Sequence, residues 1–208
     1  MREMPLDGFI KKLGAKDAVP GGGSAAALCG AMSAALCSMA INLTVGKKKY
    51  ADVEEELKRE ARGLNRLSRD FMKAMDADAE AFLPLSKAYG MPNKTAAEKE
   101  RKKEVLESAL VEASKPPLAA MRLCQKTVEV LERVEPMVSP LVISDVGCAA
   151  ALCMGCVQAA ALNVYINARM IEDEQVANRL MVEAQETVKS VQELARQIYQ
   201  KVEGKLCR

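Results

Sequence analysis

The sequence holds no histidine, so proton transfer near neutral pH would have to use another type of side chain. A carboxylate, lysine, tyrosine or cysteine can take this role when its surroundings shift its pKa. Asp78 is the strongest candidate, because it shares one helical stripe with Phe71, Met75 and Phe82, and that stripe should be buried. A buried carboxylate is costly unless it is paired, hydrogen-bonded or functional. The position therefore predicts either a proton-transferring group or a structural partner of a buried Arg, Lys or Asn.

A second carboxylate, Asp145, follows Ser144 at the start of a segment rich in small residues. Aspartate at a helix start is typically an N-cap, so the pattern predicts a cap and leaves a chemical role open. Asn42, Asn163 and Asn167 lie near the far ends of two such segments. Their amides can orient a heterocycle by hydrogen bonding, or they are satisfied core amides.

A rigid turn, Val19–Ser24 (VPGGGS), precedes the first small-residue segment. Proline fixes its own φ, glycine adopts conformations that other residues avoid, and the alanines that follow favour a helix. The junction predicts bare backbone N–H groups at a helix start, which attract an anion or a polar ligand group. It does not fit a nucleotide motif, because no strand precedes Gly21, and Gly46-Lys47 lacks the other residues of a phosphate-binding loop.

Two segments repeat the same small-residue pattern, Gly23–Cys29 (GSAAALC) and Gly147–Cys153 (GCAAALC). A helix faced with Ala, Gly and Ser lets another backbone approach closely. The repeat predicts that the two helices pack together or across a dimer axis. A tight helix crossing with no further role is the alternative.

Hydrophobic spacing predicts an all-α protein, a multi-helical up-and-down bundle forming one domain over residues 1–208. With 3% aromatic residues and no tryptophan, the core must consist of Ala, Leu, Val and Met, as is typical of packed helices. Pro84 should kink or end one helix, and Pro116-Pro117 should begin another. The predicted helices cover residues 6–13, 25–45, 52–84, 95–114, 117–136, 146–166 and 173–202.

Charge and hydropathy argue against two classes of partner. The net charge is +2 with interleaved signs, which gives no electrostatic support for nucleic-acid binding. The basic runs 47–49 and 101–103 are typical of solvated helix ends. Residues 25–45 and 146–166 are long enough to span a bilayer, but alanine, serine and asparagine dilute their hydrophobicity, so no membrane role is predicted.

The cysteines predict a reducing compartment. Seven cysteines, an odd number, follow a start that lacks the apolar core of a signal peptide, so we expect free thiols and a cytoplasmic protein. Cys153 and Cys156 have metal-like spacing, but no histidine and no second pair complete a zinc site. We therefore expect buried small thiols and no bound metal.

Five motifs occur in a fixed order along the chain, at 19–27 (VPGGGSAAA), 46–50 (GKKKY), 78–82 (DAEAF), 144–146 (SDV) and 163–167 (NVYIN). Together they resemble the cyclodeaminase/cyclohydrolase family, the domain joined to formiminotransferase in the animal bifunctional enzyme. The resemblance implies an all-helical homodimer that cyclises 5-formiminotetrahydrofolate to 5,10-methenyltetrahydrofolate and releases ammonia. It implies no metal and no redox cofactor, and a separate formiminotransferase is an expected partner.

The resemblance also implies roles for particular residues. Asp145 and Asp78 would share the proton transfers. Lys47, Lys48 and Lys49 would attract the glutamate carboxylates of the folate. The remaining substrate-binding residues would be Pro20, Gly21, Gly22, Gly23, Ser24, Asn42, Ser144, Asn163 and Asn167.

One departure from the family pattern lies in the loop Glu135–Ile143, where family members commonly carry a Gly-Asn pair. Two alternative functions stay open. The same scaffold is associated with methenyltetrahydrofolate cyclohydrolase activity, in which water opens the ring to give 10-formyltetrahydrofolate. The other alternative is a non-enzymatic helical dimerisation module, which predicts no folate binding.

Overall fold

Six α-helices and two short 3₁₀ segments form the protein in a computed structural model, which describes residues 1–207. The helices are α1 (Leu6–Leu13), α2 (Gly22–Asn42), α3 (Glu54–Tyr89), α4 (Ala96–Val134), α5 (Ile143–Ala168) and α6 (Glu174–Leu206). The 3₁₀ segments are Lys48–Val53 and Pro140–Val142. No strand occurs among residues 1–207, so the prediction of an all-α fold is confirmed.

The long helices α3, α2, α5 and α6 lie side by side in that order, and α4 packs against all four from behind. Polar contacts show that neighbours run antiparallel. Ser24 near the start of α2 meets Asp78 late in α3, and the Ser33 hydroxyl donates to the Ala149 carbonyl of α5 at 2.7 Å. The up-and-down arrangement follows from short connections between sequential helices.

Small residues let α2 pass through the centre of the bundle. An added Cβ at Gly30 would lie 2.3 Å from the ring of Phe71, which is fully buried in α3. Only glycine leaves room for that ring. Alanine is the most frequent buried residue in α2 and α5, and no aromatic residue is buried in either helix, as the low aromatic content predicted.

Three interior prolines do not break their helices. α3 continues beyond Pro84 to Tyr89, and α4 runs unbroken through Pro116 and Pro117. Of the two outcomes predicted at Pro84, a kink or an end of the helix, the end is therefore wrong, and so is the predicted start of a new helix at Pro116-Pro117. Leu85 directly after Pro84 and Leu118 directly after Pro117 are buried, so core packing continues past the prolines and offsets the loss of their N–H donors.

The start of α5 also differs from the prediction. Its N-cap is Val142, with no side-chain cap bond, and Asp145 lies in the first helical turn. The predicted Ser144-Asp145 cap is wrong, because the 3₁₀ segment Pro140–Val142 leads directly into the helix. By contrast, α4 begins with a capping box, in which the Thr95 side chain accepts from the Glu98 N–H and the Glu98 carboxylate accepts from the Thr95 N–H.

Two helical segments, Gly22–Asn42 and Pro140–Ala168, are long and apolar enough to cross a membrane by length and composition alone. Within the bundle, 61% and 50% of their most apolar windows are buried. Such burial is typical of the core helices of a helical bundle. Buried thiols also meet between α4 and α5, where Cys124 of α4 lies 3.2 Å from Cys156 of α5.

Candidate functional site

A cavity of about 230 Å³ lies at the end of the bundle where α2 begins. The glycine turn forms one wall, α3 contributes Asp78 and Phe82, and the last turns of α5 contribute Asn163 and Asn167. Gly21, Gly22 and Gly23 line the turn side, while Pro20 is buried behind it after a cis Val19–Pro20 peptide bond. Predicted site residues that lie far apart in the sequence therefore line the same cavity.

Asp78 reaches across to the first turn of α2. The Ser24 hydroxyl lies 2.8 Å from Asp78 Oδ2 and 3.2 Å from the Met75 carbonyl oxygen. An added Cβ at Gly23 would lie 2.1 Å from Asp78 Oδ1, so only glycine allows the carboxylate to approach the helix start. The predicted glycine turn is therefore needed to seat the predicted carboxylate.

Burial raises the pKa of Asp78 above its ordinary value, while hydrogen bonds from the Ser24 hydroxyl and backbone N–H oppose that rise. No Lys or Arg among residues 1–207 forms an ion pair with Asp78. The alternative of a buried Arg, Lys or Asn partner is therefore wrong, and the side chain that bonds Asp78 is Ser24. A carboxyl of this kind can exchange protons nearer to neutral pH than an exposed aspartate does.

The two asparagines of α5 supply amides on the opposite wall. The Asn163 side-chain NH₂ donates to the Ala159 carbonyl at 2.8 Å, and its amide lies against Gly22, where an added Cβ would be 3.3 Å away. Asn167 is 8% exposed and also lines the cavity. The cavity therefore combines a carboxyl group, helix-start amides and side-chain amides, which can recognise a polar heterocycle.

The remaining predicted residues lie at the opposite end of the bundle. Asn42 ends α2, Ser144 and Asp145 begin α5, and the run 47–49 follows α2 on the exposed surface. Asp145 and Asn163 are separated by 18 residues of one helix, which is about 27 Å along its axis. Asp145 and Asp78 therefore do not lie together within one chain.

A larger groove of about 630 Å³ runs between α3 and α4. Its floor is apolar, and Glu80, Glu104 and Glu112 line it with Lys115. None of the predicted site residues lines this groove. We therefore place the candidate site in the smaller cavity, where the glycine turn, a buried carboxyl and amides converge.

Comparison with known proteins assigns the chain to a family. The family model described as formiminotransferase-cyclodeaminase matches residues 5–186. The chain belongs to the formiminotransferase-cyclodeaminase family. The resemblance inferred from the five sequence motifs is confirmed.

Members of the formiminotransferase-cyclodeaminase family resemble this chain over different shares of their length. Methenyltetrahydrofolate cyclohydrolase of Methylorubrum extorquens is 37% identical over 201 residues, covering 97% of each chain. Mouse formimidoyltransferase-cyclodeaminase is 30% identical over 169 residues, covering 81% of this chain but 31% of that protein. The crystal structure of formiminotetrahydrofolate cyclodeaminase from Thermotoga maritima superposes with a TM-score of 0.86 at 28% identity, covering 97% of each chain.

Sequence reasoning missed part of the lining of the cavity in this family member. Phe82 was assigned to the core stripe, but it lies in the cavity one turn after Asp78. Ile166 lies between the two asparagines and is 57% exposed. An apolar residue between two polar site residues, or one turn beyond a buried carboxylate, is a signal that could have found both. Ala113 carries no such signal in the sequence.

Proposed function

We propose that this protein is a folate one-carbon enzyme, which cyclises 5-formiminotetrahydrofolate to 5,10-methenyltetrahydrofolate and releases ammonia. The observation that carries the proposal is the Asp78 carboxyl, hydrogen-bonded to Ser24 inside a cavity between the glycine turn and two asparagines. Membership of the family and the fold shared with a cyclodeaminase support it.

The reaction requires two proton movements around one carbon. The formimino group enters in its protonated form. The para-aminobenzoyl nitrogen bonds to the formimino carbon and loses its proton, and the former imino nitrogen gains a proton and leaves as ammonia, so that the positive charge remains on the methenyl product. The Asp78 carboxylate is suited to take up the first proton, and the resulting carboxylic acid can return one to the leaving nitrogen. Atoms and charges in this reaction balance with proton transfer alone, so the proposal includes no metal and no redox cofactor.

Binding contributes by holding the two reacting atoms together. The helix-start amides of Gly22 and Gly23 and the amides of Asn163 and Asn167 are the proposed contacts of the pterin ring. A fixed geometry converts the ring closure into a favourable intramolecular step. Phe82 and Ile166 add apolar surface beside these contacts.

A second activity, hydrolysis of methenyltetrahydrofolate to 10-formyltetrahydrofolate, is favoured by one specific observation. A relative that carries this name is 37% identical over 97% of both chains. In this reaction Asp78 would orient and deprotonate the attacking water. The same cavity serves both activities.

The proposal extends to the setting of the enzyme. We propose a cytoplasmic homodimer, supported by the cysteine content and by exposed apolar residues on α2 and α5. A formiminotransferase is the proposed source of the formimino substrate.

One assay distinguishes the activities. Purified protein is given 5-formiminotetrahydrofolate while methenyl absorbance and ammonia are measured, and methenyltetrahydrofolate hydrolysis is measured separately. Cyclodeaminase activity predicts equal amounts of ammonia and methenyl product. Turnover of methenyltetrahydrofolate alone would identify a cyclohydrolase. No turnover, together with no thermal shift by folate analogues, would contradict both and favour a dimerisation module.

A further inference from the structure

Ser24 is buried behind the wall of the cavity instead of lining it. Gly21, Gly22 and Gly23 line the cavity, whereas Ser24 is 0% exposed. Its hydroxyl faces α3, where it lies 2.8 Å from Asp78 Oδ2 and 3.2 Å from the Met75 carbonyl oxygen. Ser24 is therefore placed to act on Asp78 and not on a ligand, although the sequence resemblance implies that it binds substrate.

The Ser24 hydroxyl has two acceptors for one proton, so it donates to one of them at a time. A hydrogen bond to a charged oxygen is about twice as strong as one between neutral groups, so the ionised Asp78 carboxylate is the preferred acceptor. When Asp78 is protonated, Oδ2 loses its charge and the hydroxyl can turn to the Met75 carbonyl. The buried hydroxyl therefore keeps a partner in both protonation states of Asp78.

The start of α2 supports the carboxylate further. The N-cap is Gly21, which has no side chain to cap the helix, and the Ala25 N–H donates to the Gly21 carbonyl at 3.0 Å. The Ser24 N–H has no acceptor within α2 and bonds Asp78 instead. The positive end of the helix dipole also favours a negative charge here. Asp78 of α3 therefore takes the place of a cap for α2.

The two carboxyl oxygens of Asp78 have different surroundings. Oδ2 is bonded by Ser24, whereas Oδ1 lies against Gly23, where an added Cβ would be 2.1 Å away. Among residues 1–207, no side chain donates to Oδ1. Gly23 lines the cavity, so Oδ1 is the oxygen left to exchange a proton with a bound molecule.

Few other charged groups act on Asp78. The lining that the glycine turn, α4 and α5 contribute to the cavity holds no titratable side chain. On α3, Asp76 pairs with the Met1 amino group and with Arg2, and Glu80 lines the groove between α3 and α4. The titration of Asp78 should therefore respond directly to the loss of the Ser24 hydroxyl.

We propose that Ser24 is a positioning residue for proton transfer. Its hydroxyl fixes Oδ2 of the Asp78 carboxylate and turns to the Met75 carbonyl when Asp78 takes up a proton, while Oδ1 exchanges that proton with the substrate. The hydroxyl only rotates, so no covalent bond of Ser24 forms or breaks. The kinetic part of this inference rests on the proposed folate chemistry, whereas the hydrogen bonding of Asp78 does not.

Carbon-13 NMR of the aspartate carboxyl groups tests the hydrogen bond without any substrate. The signal of Asp78 is assigned by its absence from Asp78→Asn. Ser24→Ala removes a bond that favours the charged form, so the midpoint of the Asp78 titration should rise by about one pH unit. Ser24→Cys keeps a weaker donor of similar shape and should show a smaller rise.

Ser33→Ala is the matched control. Ser33 is also 0% exposed in α2, but its hydroxyl donates to the Ala149 carbonyl and not to a carboxylate. This variant should leave the midpoint of Asp78 unchanged. No rise in either Ser24 variant, or an equal rise in Ser33→Ala, would overturn the proposal. If Ser24→Ala does not fold, Ser24→Cys decides in the same way.

Kinetics test whether Ser24 acts through Asp78. The acid limb of kcat/KM should move to higher pH in Ser24→Ala by the same amount as the NMR midpoint, and an unmoved limb would contradict this. In an Asp78→Asn background, Ser24→Ala should cost no further turnover, and additive losses would overturn the positioning role. If the wild-type protein turns over neither folate substrate, the proposed function fails, while NMR still decides the hydrogen bond.

Discussion

The residue that determines the chemistry is Asp78, and its protonation links activity to stability. Burial raises its pKa, so the native state holds the proton more tightly than the unfolded chain does. Stability from the protonated form is present below the ordinary aspartate pKa and is lost as pH rises through the raised pKa. At neutral pH the carboxylate therefore destabilises the fold.

Replacing Asp78 by asparagine should separate its contribution to turnover from its effect on stability. Turnover should fall by about 10²- to 10⁴-fold, the usual contribution of a general acid or base. The melting temperature at pH 7 should equal or exceed that of the wild type, because the cost of burying the charge is removed. Kinetics and calorimetry check this pair of results. A stable variant with full turnover would remove Asp78 from the mechanism.

The pH dependence of the wild-type enzyme offers a second test. The base form of Asp78 is lost as pH falls through its raised pKa, so kcat/KM should decline on the acid side above the ordinary aspartate range. The residual activity of Asp78→Asn should lack this limb. A pH–rate profile of both proteins measures it. An identical acid limb in both would assign the titration to another group.

Gly23 is the residue that admits the carboxylate. Gly23→Ala would place a methyl group 2.1 Å from the present position of Asp78 Oδ1, so the carboxyl or the turn must move. Overpacking of this kind costs about 1 to 3 kcal/mol. Gly204→Ala is the matched control, because it lies in a helix with nothing within 4 Å of its added Cβ. Denaturant unfolding should show a loss for the first variant and none for the second.

At the scale of elements, the helices and the turn could be predicted from sequence, but the effect of the prolines could not. The periodicity around Leu57, Leu64 and Phe71 located α3, and these residues are fully buried. Pro116 and Pro117 have the same local pattern whether they begin a helix or lie within one. Tertiary packing against α3, α5 and α6 decides between these, and it is not a local property of the sequence.

Pro116 gives a prediction for this element. Pro116→Ala would restore an N–H that can donate to the Glu112 carbonyl inside α4, so stability should rise by about 1 to 3 kcal/mol. Alanine removes little buried surface, since Pro116 is only half-buried. Urea unfolding measures the change. An unchanged or lower stability would mean that the ring makes packing contacts worth more than the restored bond.

For the candidate site too, local sequence patterns predict individual residues but not how distant helices bring them together. Asp78 and the glycine turn could be predicted because each is marked locally, by a helical stripe and by consecutive glycines. The separation of Asp145 from Asp78 could not, because it depends on the antiparallel packing of α2, α3 and α5. The resemblance implies that Asp145 and Asp78 share the proton transfers, yet the two acids lie at opposite ends of one chain.

At the scale of the whole molecule, the outward apolar residues of α2 and α5, among them Met32, Met39, Leu162 and Ile166, form an uncovered face that supports the proposed homodimer. Met32→Glu would place a charge in the middle of that face, where Met32 is 42% exposed, and should convert dimers to monomers. Val182→Glu is the control, because Val182 is 50% exposed on α6. Analytical ultracentrifugation should find only the first variant monomeric. Two dimeric variants would exclude this face as the interface.

The cavity at the start of α2 is the central claim, and a crystal structure with a stable tetrahydrofolate analogue tests it most directly. The account predicts the pteridine ring between the glycine turn and α5, with polar contacts to Asp78, Asn163 and Asn167. A pteridine bound elsewhere, for example in the larger groove between α3 and α4, would contradict it.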